Sequence, residues 1–185
     1  NLKSMKQLTR LIGVILLIIN IYSCDIHWYD PDKPKPGYLN QMPKETSIGA
    51  NTFGYYINGK LIAAQGYYQE EESFFVNGDW HKFSEYTRMS LQASSGKHYY
   101  MMMQIYDTIR LGINDCFFHI EYNTSGLPGG SGNIKALVDI TKFDTIEHII
   151  SGRFNDITIP IEFIDSISIA YITNGQFDVK YEKDF

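Results

Sequence analysis

Apolar and polar residues alternate near the C-terminus around the dipeptide Asn174-Gly175, a pair typical of two-residue type I′ turns. Such a turn would place Ile172 opposite Phe177. Because side chains alternate across a strand, one face would then be apolar and contain Ala170, Ile172, Phe177, Val179 and Tyr181. The other face would be polar and contain Thr173, Gln176, Asp178 and Lys180. The pattern predicts a closing β-hairpin that covers a β core.

Two further Asn-Gly pairs occur earlier in the chain. Asn58-Gly59 predicts a hairpin in which Tyr55 faces Ile62, and Asn77-Gly78 predicts a turn. Strand-like segments separated by Gly-rich joints recur at 72–76, 86–93, 98–106, 116–122, 134–140 and 157–163. No long helical stripe of apolar residues is present after the N-terminal leader. The fold class is therefore all-β and antiparallel, a single β-sandwich or small β-barrel of about eight to ten strands after an N-terminal signal helix.

One interruption is expected inside this pattern. Ile157, Ile159, Ile161 and Phe163 alternate regularly, but Phe154 has the opposite parity. If all of these side chains face the core, the register must change between Arg153 and Ile157. We predict a bulge or turn at Asn155-Asp156.

The N-terminus has the features of a secretory leader. Lys3, Lys6 and Arg10 precede an apolar run at 11–21, which is too short to span a hydrocarbon core. The run ends at Ile21-Tyr-Ser-Cys24, which resembles a bacterial lipobox. This pattern predicts cleavage before Cys24 and lipidation, such as palmitate addition, on that residue. The alternative is a buried helix or transmembrane anchor.

The sequence predicts three parts: a signal peptide at 1–23, a lipidated Cys24 with a Pro-rich linker at 24–50, and an all-β domain at 51–185. Loss of residues 1–23 removes three positive charges and changes the formal charge from −5 to −8. Nucleic-acid binding requires a basic surface, so this charge argues against a nucleic-acid partner. The lipid would hold the protein on a bacterial membrane, expected to be the outer membrane, on its periplasmic face or at the cell surface.

The sequence contains few candidate catalytic or metal-binding residues. Only His119 and Glu121 resemble a pair of metal ligands, and a solvated strand face is the favoured explanation because the spacing supplies no third ligand. Neither a metal nor another cofactor is predicted. Ser131 lies in Gly129-Gly-Ser-Gly132, which lacks the strand–turn–helix context of a nucleophile elbow and is interpreted as a flexible loop. Cys116 is interpreted as a small buried hydrophobic residue, with a reactive thiol as the alternative.

Several phrases of the chain resemble a known family. They are Met42-Pro-Lys-Glu-Thr46, Asn51-Thr-Phe-Gly54, Ile57-Asn-Gly-Lys60, Leu137-Val-Asp-Ile-Thr-Lys-Phe-Asp144, Ile149-Ile-Ser-Gly-Arg-Phe154 and Ile172-Thr-Asn-Gly-Gln-Phe-Asp-Val-Lys-Tyr181. Together they look like cell-envelope lipoproteins of the Bacteroides type. The resemblance implies an envelope lipoprotein domain with no catalytic residues to carry over.

Three functions are consistent with these features. The first is a lipid-anchored, non-enzymatic binding or assembly module for a glycan, a peptide or another envelope protein. Its candidate contact residues are aromatic: Tyr67, Tyr68 and Trp80. The second is a lipocalin-like carrier of a small apolar ligand, and the third is a hydrolase.

Overall fold

The structure is a computed structural model that describes residues 37–66, 74–96, 99–122 and 129–184. These ranges contain strands and turns and no helix, which confirms the all-β class. The strands are β1 (Gly37–Tyr38), β2 (Thr52–Ile57), β3 (Lys60–Gln65), β4 (Phe74–Lys82), β5 (Thr87–Ser95), β6 (Tyr99–Tyr106), β7 (Gly112–Tyr122), β8 (Gly130–Asp144), β9 (Ile149–Phe154), β10 (Ile157–Phe163), β11 (Ser166–Lys180) and β12 (Glu182–Asp184).

All twelve strands belong to one sheet in the order β1-β3-β2-β11-β10-β8-β7-β6-β5-β4-β12, with β9 between β11 and β8. Neighbours are antiparallel except β12, which runs parallel to β4, so the sheet is mixed rather than purely antiparallel. Because β12 continues β11 after Tyr181, the chain links an inner strand of the sheet to its far edge. One sheet that curls on itself thus replaces the two stacked sheets of a sandwich.

The inward-facing side chains form one continuous core. Its centre is aromatic: the ring of Phe154 lies 5.2 Å from that of Phe118, 5.8 Å from that of Phe53 and 6.4 Å from that of Tyr55. Cys116 belongs to the same core, and burial raises the pKa of its thiol. The interpretation of Cys116 as a buried residue is confirmed.

The predicted C-terminal hairpin is wrong. Asn174-Gly175 lies within the continuous strand β11, where Asn174 has a φ of 51°. The register against β2 shifts between Thr173 and Gln176, so the pair forms a β-bulge. The extra residue changes the inward-facing positions from even-numbered residues before the bulge to odd-numbered residues after it, and the predicted turn would have had the same effect. All five residues of the predicted apolar face are therefore buried, but so is Asp178, which was placed on the polar face.

A second irregularity lies directly opposite this bulge. β9 ends at Phe154 and β10 begins at Ile157, with Asp156 at a φ of 54°, which confirms the break predicted at Asn155-Asp156. The Asn174 N–H donates to Asn155 Oδ1 at 2.8 Å. The bulge in β11 therefore lies beside the break between β9 and β10, and β11 pairs with β9 on one side of that break and with β10 on the other.

The other two Asn-Gly pairs have different outcomes. Asn58-Gly59 forms the predicted hairpin, with positive φ at both residues and Tyr55 paired with Ile62. Asn77-Gly78 does not turn, because both residues lie within β4. A Cβ added at Gly78 would lie 3.0 Å from both Tyr181 Cβ and Val179 Cγ1, so this glycine allows the end of β11 to approach β4.

The segment Gly129-Gly-Ser-Gly132 is also not the expected flexible loop, because β8 begins at Gly130. Ser131 pairs with Glu121 of β7 and Glu162 of β10. A Cβ on Gly132 would overlap the carbonyl oxygen of Pro160. These glycines therefore permit close strand packing rather than chain flexibility.

Candidate functional site

A segment before β2 crosses the outer face of the sheet. Residues 42–50, which the sequence assigned to the linker, pass over Gly54, where an added Cβ would lie 2.6 Å from Pro43 Cδ and 2.8 Å from Met42 Sδ. Gln176 Nε2 donates to the Pro43 carbonyl oxygen, and Lys142 Nζ donates to the Ser47 carbonyl oxygen at 3.0 Å. We call residues 42–50 the strap.

Asp178 anchors the strap to the sheet. Its carboxylate accepts hydrogen bonds from the strap at Thr46 Oγ1 (2.5 Å) and at the backbone N–H groups of Ile48 (3.1 Å), Gly49 (2.9 Å) and Ala50 (3.1 Å). Ser151 Oγ of β9 donates a further bond at 2.7 Å. Asp178 is only 2% exposed, so five donors replace the water that a buried carboxylate loses.

These hydrogen bonds set the ionisation of Asp178. Burial by itself raises the pKa of the carboxyl group, but the donors from Thr46, Ser151, Ala50 and Gly49 outweigh it and hold the pKa below its usual value. Asp178 is therefore a structural anion that fixes the strap.

Stability should depend on this ionisation. The pKa of Asp178 is lower in the folded chain than in the unfolded one. Its contribution to the free energy of unfolding is therefore complete above the unfolded pKa of about 3.9 and is lost as the pH falls through the folded pKa. We expect the free energy of unfolding, measured with denaturant, to fall steadily below about pH 4. The Asp178→Asn variant should show a shallower acid slope, and an unchanged slope would contradict this role.

Beside the strap, the outer face contains a hollow of about 650 Å³. Its floor is a row of outward-facing residues on four neighbouring strands: Gln176 of β11 pairs with Arg153 of β9, Arg153 with Asp139 of β8, and Asp139 with Ile113 of β7. The remaining lining residues come from the strap, β2, β8, the end of β9, the break after β9 and the bulge in β11: Met42, Tyr56, Leu137, Phe154, Asn155, Asn174 and Gly175.

Arg153 is the cation of the hollow, and its charge is already balanced. Nη2 lies 3.3 Å from Asp139 Oδ2, and Nη1 lies 3.8 Å from Glu45 Oε1 of the strap. The guanidinium side chain is 55% exposed, so these pairs add little stability. They do fix its orientation and leave no excess positive charge for an anion.

The hollow therefore offers hydrogen bonding next to apolar surface. Arg153, Asn155, Asn174 and Gln176 supply donors and acceptors, while Ile113 and Leu137 are 63% and 56% exposed. Such a mixture suits a neutral ligand with many hydrogen-bonding groups.

Trp80, one of the three aromatic residues singled out from the sequence, does not line this hollow. Trp80 is partly buried, and its ring lies 5.5 Å from Phe143 and 5.9 Å from Tyr181, with Lys183 Nζ 5.0 Å away. Tyr67, Tyr68 and the predicted lipidation site Cys24 lie outside the described residues.

Exposed rings occur instead at the β4–β5 turn. Phe83 and Tyr86 stack at 4.6 Å, and Tyr106 of β6 lies 5.9 Å from Tyr86. The Arg88 guanidinium lies 5.1 Å from the Phe83 ring. These four side chains therefore pack against one another at the surface.

His119 takes part in a surface hydrogen-bond network. Its Nδ1 lies 2.7 Å from Asn133 Oδ1, and its Nε2 lies 3.1 Å from Glu121 Oε1. Within the described ranges, no group of three His, Cys, Asp or Glu side chains is placed to hold a metal ion. The same ranges contain no helix long and apolar enough to cross a membrane.

The residues of the hollow were missed from the sequence because they are brought together by strand register. Arg153 and Gln176 appear within phrases of the family resemblance, but nothing in either phrase indicates that they lie side by side. The available signal was the predicted break at Asn155-Asp156, since bulges often accompany functional sites.

Comparisons of the sequence and the structure found no matching family model, no matching curated protein and no matching solved structure.

Proposed function

We propose that this protein is a lipid-anchored binding module of the bacterial cell envelope, without enzymatic activity. A lipid on Cys24 would hold it on the outer membrane, and the all-β domain would present the hollow to a ligand. The basic flank, short apolar run and terminal cysteine of the leader support the anchor. The hollow over β7, β8, β9 and β11 is the observation that supports the binding role.

The ligand that the hollow suits best is a neutral glycan. The pairing of Arg153 with Asp139 and Glu45 disfavours an anion, because an anionic ligand would have to displace or face two carboxylates. Amide and guanidinium groups of the lining match sugar hydroxyl groups, which both donate and accept. The partly exposed Tyr56 ring and Leu137 can contact the apolar faces of sugar rings.

The two alternatives receive less support. A lipocalin-like carrier needs interior volume, whereas side chains such as Phe53, Phe118 and Phe154 occupy the interior. A second pocket, between Tyr99 and Tyr122, measures about 200 Å³, which is below the usual range for ligand pockets. A hydrolase needs ionisable groups with shifted pKa values in its cleft. The described carboxyl groups with a lowered pKa, Asp144 and Asp178, do not line the hollow.

The test is a thermal-shift screen of the full chain in detergent against neutral oligosaccharides, peptides and fatty acids, followed by calorimetry. We expect a neutral oligosaccharide to raise the melting temperature. Arg153→Ala should weaken its binding about ten- to a hundredfold, because one hydrogen bond to a charged group is lost. Leu137→Ala should also weaken binding, because it removes an apolar contact with the sugar ring.

Arg110→Ala is the matched control, since this exposed arginine lies outside the hollow. It should leave the affinity unchanged. Binding of a sugar that resists both Arg153→Ala and Leu137→Ala would place the site elsewhere, and stabilisation by fatty acids alone would favour the carrier.

A further inference from the structure

The first part of β11 has an open edge. On one side, residues 166–170 pair with β10, from Phe163 opposite Ser166 to Ile159 opposite Ala170. On the other side, β2 pairs with β11 only from Ile172 onward, because the chain turns back at Asn58-Gly59. Within the described ranges, no strand pairs with residues 166–170 on that side.

The backbone groups at this edge have a defined direction. Tyr171 points both of its backbone groups toward β2, where the Asn58 N–H donates to its carbonyl oxygen at 2.9 Å and its own N–H donates to Asn58 Oδ1 at 2.8 Å. Because backbone groups alternate direction along a strand, those of Ile169 and Ile167 point to the same side, beyond the end of β2. The edge therefore presents two N–H donors and two carbonyl acceptors at strand spacing.

The side chains of this edge do not protect it. Ile167, Ile169 and Tyr171 are 68%, 42% and 58% exposed on the outer face. No charged residue and no proline occurs between Asp165 and Asp178. Natural edge strands usually carry lysine, proline or a bulge that prevents pairing with another strand, and here the bulge lies further along, at Asn174-Gly175.

We infer that residues 166–170 form a self-association edge, at which a second copy of this chain adds its own β11 antiparallel to the first. A two-fold axis at Ser168 would pair Ile167 of each copy with Ile169 of the other. This arrangement would form four backbone hydrogen bonds and bring isoleucines together across the junction. The segment is uncharged, so its pairing with an identical segment involves no like-charge contact even though the chain has a formal net charge of −5.

The register can be tested by crosslinking. In a Cys24→Ser background the other native cysteine, Cys116, is buried. Ser168→Cys would place two thiols at a non-hydrogen-bonded pair, with Cα atoms about 4.5 Å apart, which suits a disulfide. We expect the full chain carrying this change to form a covalent dimer under mild oxidation. Ser166→Cys is the control, because Ser166 would face Ala170 of the other copy and the two new thiols would lie far apart.

Sedimentation velocity of the full chain in density-matched detergent tests the equilibrium. We expect a reversible dimer that Ile169→Lys weakens at least about tenfold, whereas Leu111→Lys, which adds the same charge at an exposed site off the edge, leaves it unchanged. A monomer at all concentrations, or equal crosslinking at residues 166 and 168, would overturn the inference. If Ile169→Lys fails to fold, crosslinking at Ser168 decides the question alone.

Discussion

Replacement of Asp178 by alanine is expected to lower the free energy of unfolding by about 4 kcal/mol, because it leaves several donors without an acceptor. Three of these donors are backbone N–H groups of the strap, at Ile48, Gly49 and Ala50. Since Met42 of the strap lines the hollow, the same change should also weaken ligand binding. Chemical denaturation and calorimetry would measure the two effects separately.

Two milder variants should lower the free energy of unfolding by smaller amounts. Ser151→Ala removes one of the five donors and should cost about 1 kcal/mol. Asp178→Asn preserves the shape but presents an amide NH₂ group to donors, so it should cost about 3 kcal/mol. If Asp178→Ala cost no more than Ser151→Ala, the carboxylate would not be the anchor of the strap.

Replacement of Gly175 by alanine is expected to cost about 3 kcal/mol, because the new methyl group would overlap the ring of Phe154. That ring cannot move freely, since it lies against the rings of Phe53, Tyr55 and Phe118 in the core. Thermal or chemical denaturation of the purified variant would measure the loss.

A double-mutant cycle identifies the cause. Phe154→Ala alone should cost about 3–5 kcal/mol by leaving a cavity, and the added methyl group of Gly175→Ala should then fit into that cavity. The double variant should therefore cost clearly less than the sum of the two single changes. Gly59→Ala is the control: it meets no atom within 4 Å, and its φ of 77° alone should cost about 1 kcal/mol. Additive costs at Gly175 and Phe154 would show that overlap with the ring is not responsible.

The three Asn-Gly pairs show how far local sequence determined this fold. Each pair permits a type I′ turn, but only Asn58-Gly59 forms one. Gly78 remains within a strand because β11 passes close to it. Asn174-Gly175 forms a bulge because β2 and β9 pair with β11 on both sides of it. The choice among turn, strand and bulge thus depends on neighbours that are distant in the sequence.

The candidate site was even less accessible to local reasoning. Gln176, Arg153, Asp139 and Ile113 form one row only because of the registers of four strands, and each residue alone is an ordinary outward-facing position. Asp178 likewise follows the polar alternation of its strand, and its burial depends on the strap, in which Thr46 precedes it by 132 positions.

Local sequence patterns were sufficient to predict the all-β class, the apolar face of β11, the Asn58-Gly59 hairpin and the break at Asn155-Asp156. These features follow from the two-residue period of strands and from the conformational preferences of Asn, Asp and Gly, which act over a few residues. Contacts between distant segments of the chain produced four other features: the curled single sheet, the buried Asp178, the hollow and the open edge of β11. Each of these depends on which strands become neighbours and in which register, and that choice is made by the packing of the whole core rather than by any one segment.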